Sequence, residues 1–137
     1  MTHYVTLTGL SGNAYQYTAH DVNSAWNSAP GNYVFAAIGV QTILTESWGP
    51  IYIGETRNLA TRIPGHEKWA TARLKGATHV LAHVNRGGIE ARQAEESDLV
   101  RAYNPPLNKE YSPPLGLLAG QAPGIFGLGL ASRRGKK

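Results

Sequence analysis

Residues 52 to 66, YIGETRNLATRIPGH, gather side chains suited to phosphate chemistry. Tyr52 and Ile53 read as the end of a strand that turns at Gly54. Arg57 and Arg62 follow on a short helix, and His66 lies past a break at Pro64-Gly65. A guanidinium grips two non-bridging phosphate oxygens at once. An imidazole relays a proton near neutral pH. A phenol beside a cation can lose or share its proton. Tyr33, on an earlier strand, supplies a second phenol. The plainer role for both tyrosines is sheet packing. For Arg62 it is a solvated helix face, and for His66 a surface position.

A carboxylate completes the set. Ile89 to Tyr103 is the clearest helix, with an apolar stripe of Ile89, Leu99, Val100 and Tyr103. Glu96 falls in that stripe, while Glu95 and Asp98 lie on the other face with Ala91 and Ala102. Glu95→Gln should therefore do little. An inward carboxylate is costly unless paired or ligating a metal. Pairing with Arg92, one turn earlier, is one reading. Binding Mg²⁺ is the other, since this ion often takes only one or two protein carboxylates plus waters.

The remaining elements must hold these groups together. Residues 3 to 9 and 14 to 19 alternate and flank the turn Ser11-Gly12-Asn13, which predicts a hairpin. A polar connector with Trp26 leads to Gly31 to Val40, the strongest strand candidate and a central one. Gln41 to Pro50 reads as a loop with Trp48, and Ile51 to Ile53 as a short partner strand. A helix turn spans 57 to 63, and a second helix spans His66 to Lys75. Ala77 to Asn85 alternates as a third central strand. Pro105-Pro106 ends the long helix, and a Gly- and Pro-rich tail follows.

The bulk properties agree with one small domain. The chain has 137 residues, 42% of them hydrophobic and 16% charged, with net charge +4. Its basic balance favours an anionic partner, nucleic acid above all. Cysteine is absent, which excludes disulfides, zinc–thiolate sites and a cysteine nucleophile. His3 to Leu10 is too short and mixed for a signal peptide, and no apolar run is long enough to span a bilayer. A cytoplasmic protein without membrane contact is the expectation.

Gly31-Asn32-Tyr33 followed by Tyr52-Ile53-Gly54 resembles the paired motifs of the GIY-YIG nuclease family. Arg62 stands where that family keeps its arginine, and His66 where many members carry a histidine. Glu96-Ser97-Asp98-Leu99-Val100 resembles its glutamate block, and Asn104 to Asn108 (NPPLN) its proline-then-asparagine ending. The resemblance covers about residues 31 to 110.

It implies a mixed α/β (α+β) domain: a central three-stranded antiparallel sheet flanked by helices, here with an N-terminal β-hairpin extension. The divisions are 1–30 for hairpin and connector, 31–110 for the nuclease domain and 111–137 for a basic tail. It implies a Mg²⁺-dependent endonuclease, with Mn²⁺ as substitute, that cleaves DNA. Glu96 would be the single metal ligand and Arg62 the phosphate clamp. Tyr33 would be the general base, with Tyr52 and His66 as its relay partners; either tyrosine can fill the base role. Asn108 would orient the site.

Two departures stand out. Asn32 replaces an apolar middle residue, and the gap between the tyrosines is long. Glu55 reads as a surface residue. Arg57, Lys68, Arg73 and Lys75 are candidates for flanking phosphates or simply solvated positions. Trp69, Trp26 and Trp48 read as packing. Arg133, Arg134, Lys136 and Lys137 can add nonspecific affinity. The rival readings are a catalytically quiet nucleic-acid-binding or assembly module, and an RNA nuclease. A homodimer or a protein partner is a further expectation. Repair, recombination, restriction and mobile-element roles are equally compatible with the sequence.

Overall fold

The computed structural model describes residues 3–42 and 45–108. The tail from 111 to 137, with its basic end, lies outside the described residues. Five strands form one antiparallel sheet: β1 (Tyr4–Thr8), β2 (Ala14–His20), β3 (Gly31–Thr42), β4 (Thr45–Thr56) and β5 (His79–Val84). Their spatial order is β1-β2-β5-β3-β4. The expected three-stranded centre is there as β5-β3-β4, but the sheet has five strands rather than three. The N-terminal hairpin continues it, because β2 pairs with β5 through Thr18–Ala82, Ala19–Leu81 and His20–Val80.

Residues 41–42 and 45–50 are strand rather than loop. β3 and β4 run as one long hairpin, and Pro50 sits opposite Ala36 in it. Pro is tolerated there because β4 is an edge strand beside a bulge. At that bulge Tyr52 faces Phe35 and Pro50 faces Ala36, leaving Ile51 as the extra residue. Ile51 and Tyr52 consequently join the same face.

Helices cover both faces. On one lie α1 (Leu59–Arg62) and α2 (Trp69–Leu74). Leu59, Ile63 and Ala72 there pack on Tyr33, Phe35 and Val80, with Trp69 and Trp26 alongside. On the other lies α3 (Ile89–Tyr103), whose Leu99 and Val100 pack on Val5, Leu7, Val34, Ile53 and Leu81. Each large apolar side chain so buried contributes roughly 1.5–3 kcal/mol. A final 3-10 turn (Pro106–Asn108) lies past α3. No helix among the described residues is long and apolar enough to cross a membrane.

The phase of α3 differs from the sequence expectation. Ile89 is exposed, whereas Arg92 and Glu95 are buried. Polar partners across the sheet make this stable. Glu95 accepts from the Tyr17 hydroxyl at 2.6 Å, from His83 Nδ1 at 2.9 Å and from Asn85 Nδ2 at 3.0 Å. Arg92 donates from Nε to Glu55 at 3.0 Å, so Glu55 is no free surface group and Arg92 is not the partner of Glu96. Asn32, fully buried, donates to the Arg92 carbonyl at 2.8 Å and ties α3 to β3. Asp98 clamps the hairpin turn, accepting from the Ser11 amide at 2.8 Å and from the hydroxyls of Ser11 and Tyr15.

Candidate active site

Both motif glycines have a steric reason. Gly54 lies opposite Tyr33 in the β3–β4 register. A Cβ there would come within 2.5 Å of the Tyr33 ring and hydroxyl. A Cβ on Gly31 would come within 2.5 Å of the His83 carbonyl on β5. The bare backbone at 54 lets the Tyr33 ring lie across β4. Tyr33 is thereby 1% exposed.

The chain after β4 is set by short-range bonds. Thr56 Oγ1 accepts the Asn58 amide at 3.0 Å, and Asn58 caps α1 by accepting the Ala60 amide at 3.0 Å. This single capped turn carries Arg62. Gly65 then takes φ 72°, a left-handed conformation that suits glycine. The break returns His66 to the sheet, where it is buried. Its ring meets Phe35 at 4.9 Å, Tyr52 at 5.4 Å and Tyr33 at 5.5 Å between centroids.

The hydroxyl of Tyr33 lies 2.8 Å from His66 Nε2. His66 Nδ1 accepts the Lys68 amide at 3.0 Å. Burial first, and Arg62 second, bring the His66 pKa down to about 4, so the ring is neutral at pH 7. Burial raises Tyr33 and Tyr52, Arg62 opposes this in both, and the charge of Glu96 adds to it in both. Four elements thus bring Tyr33, Tyr52, Arg62, His66 and Glu96 into one electrostatic neighbourhood.

Glu96 is half-buried and makes no hydrogen bond or ion pair among the described residues. Burial, and then the charge of Glu55, push its carboxyl up to about 7. No cluster of three or more His, Cys, Asp or Glu residues occurs among the described residues. A lone, unpaired carboxylate next to a second one fits a hard cation that keeps most of its water.

Asn108 is bonded to the backbone of β4. It accepts the Ile53 amide at 2.8 Å and donates to the Ile53 carbonyl at 2.9 Å. It thus pairs with the outer edge of β4 between Tyr52 and Gly54. Of the basic candidates, Lys68 places Nζ 5.9 Å from the centre of the Tyr52 ring. Arg57 lines an open groove of about 500 Å³ with Asn58, Thr61 and Ile89. Arg73 and Lys75 are exposed on α2 and its end, with no bond to the site residues.

No protein-family model matches the chain, and no curated protein or solved structure does either. The site is defined by its own geometry. One member of it was not foreseen. Glu67 forks the Arg62 guanidinium, with Nη1 to Oε1 at 2.8 Å and Nη2 to Oε2 at 2.9 Å. The bond from Arg62 is the first cause that holds the Glu67 carboxyl down to about 2. Five residues across a Pro-Gly break is no helical spacing, and so the pairing left no periodic signal.

Proposed function

We propose that the chain is a metal-dependent nuclease that hydrolyses DNA phosphodiesters, with a site of GIY-YIG type. The observation that carries this reading is the unpaired carboxylate of Glu96 beside two phenols, a neutral histidine and an arginine. A pure binding surface has no use for a half-buried carboxylate facing a polyanion.

Arg62 holds the non-bridging oxygens of the scissile phosphate and neutralises charge as the attacking oxygen arrives. Tyr33 first gives its own proton to solvent, and the phenolate then takes the proton of the attacking water. Tyr33 serves as base because the His66 N–H supports its oxygen, and Tyr52 is the more open of the two phenols. Glu96 would hold a Mg²⁺ ion. Such an ion, when bound, withdraws charge from the phosphoryl and leaving oxygens. Arg57 and Lys68 take the neighbouring phosphates.

The deciding experiment is cleavage of labelled linear duplex, single strand, flap, four-way junction and RNA, with Mg²⁺ or Mn²⁺. Cutting by wild type and not by Glu96→Ala supports the reading. Binding without cutting turns it into that of a quiet binding module. Cutting of RNA alone turns it into that of a ribonuclease.

A further inference from the structure

Arg62, the proposed phosphate clamp, already holds an anion. Its two terminal nitrogens make parallel bonds of 2.8 and 2.9 Å to the two oxygens of Glu67. This is the fork geometry that a guanidinium offers to a phosphate. The pair sits at the open side of the site, with the Arg62 side chain 36% exposed and that of Glu67 65% exposed. The carboxylate also faces its own backbone amide, and His66 Nδ1 lies 3.8 Å away.

We propose that Glu67 is a built-in competitor for the phosphate seat on Arg62, which weakens every phosphate there and so leaves an isolated one unbound at concentrations at which a strand, with its added contacts, still binds. The proposal rests on the nuclease reading only in taking Arg62 as the phosphate residue.

Mass action sets the threshold. A tethered carboxylate competes at a high effective concentration. An isolated phosphate offers Arg62 little that Glu67 does not already supply. A strand also presents neighbouring phosphates to Lys68 and Arg57, and those added contacts tip the exchange. The displaced carboxylate swings into water, where its exposure makes release cheap. The pair has little value as a strut, because exposed ion pairs contribute little to stability.

The test is titration of inorganic phosphate, in chelator, into wild type, Glu67→Gln, Glu67→Asp and Glu67→Gln combined with Arg62→Ala. Glu90→Gln, an exposed change of equal charge on α3, is the control. Glu67→Gln should bind phosphate about fivefold more tightly, the upper end for an exposed pair. Glu67→Asp keeps the charge but shortens the reach, and should gain part of this. The gain should vanish without Arg62 and be absent in Glu90→Gln, with unchanged melting temperatures throughout. Unchanged phosphate affinity in both Glu67 variants would overturn the proposal, as would a gain that persists without Arg62. Phosphate binding needs no cleavage, so the outcomes separate. A gain in a protein that cuts nothing removes the nuclease reading alone. Cutting without a gain removes the competitor alone.

Discussion

The hydroxyl of Tyr33 and Nε2 of His66 lie 2.8 Å apart, and the second nitrogen of that ring is already taken by the Lys68 amide. An amide N–H can only donate, so the proton of the neutral ring sits on Nε2. His66 therefore donates to the Tyr33 oxygen. It supports a phenolate there and does not take the phenol's proton. His66→Phe should lower cleavage by about 100-fold or more and shift the Tyr33 titration upward, read from phenolate absorbance. A Tyr33 titration that stays in place would contradict the assignment.

His66 also ties stability to pH. Its pKa in the folded protein is about 4, below the ordinary 6.5. Between these values the unfolded chain takes up a proton that the folded one refuses. The contribution is complete above the ordinary value and is lost as pH falls to about 4. The loss amounts to about 3 kcal/mol at most. Urea unfolding at neutral and acid pH should show it in wild type and not in His66→Phe. Parallel curves for the two proteins would refute it.

Glu96 acts with the opposite sign. Its carboxyl titrates near 7 against an ordinary 4.5. The folded state holds the proton longer, so this contribution is present below the ordinary value and is lost as pH rises to about 7. Glu96→Gln should thus be more stable than wild type at pH ~8, by about 1–3 kcal/mol, and equal to it in acid. Added Mg²⁺ should narrow the gap by stabilising wild type alone. Equal melting of both proteins in chelator at the higher pH would argue against a buried, unpaired carboxylate.

The neighbouring acid is expected to behave differently. Glu95 is buried and satisfied by Tyr17, His83 and Asn85. Glu95→Ala leaves those groups unpaired and should cost about 3 kcal/mol or more. Any loss of activity should follow the loss of folded protein. A variant as stable as wild type would show that this network contributes nothing.

Gly54→Ala tests the seat of Tyr33. The new methyl group would meet the ring and hydroxyl at 2.5 Å. We expect a cost of about 1–3 kcal/mol and loss of the Tyr33–His66 bond, seen as a shifted imidazole resonance. An unchanged resonance would mean that Tyr33 is held elsewhere.

The grouping of the candidate side chains was more legible than the sheet around it. Tyr33, Tyr52, Arg62, His66 and Glu96 stand in short blocks whose order survives any error in strand length. The stretch 41 to 50 misled because Gly49 and Pro50 look like breakers, while an edge strand with a bulge accommodates both. The face of Glu95 misled because hydrophobic periodicity assumes apolar interiors. Arg92 and Glu95 are buried through partners on β2, β4 and β5, and those partners are remote in sequence. Ile89 added to the error, since it stands at the first turn of α3 and is exposed. Asn32 looked like a departure from pattern and is instead the bolt between β3 and α3.

The placing of β5 between β2 and β3 sets an order of events during synthesis. β2 gains its second neighbour from residues that lie 64 positions further on, as in Thr18 and Ala82. The Asp98 clamp on the Ser11 turn spans 87 positions. β1 and β2 leave the ribosome before β5 and α3 and cannot be seated until those have followed. Until then β2 presents an unpaired edge, and an exposed edge invites association with other chains. The N-terminal hairpin is thus the element on which slow translation or truncated chains would tell first.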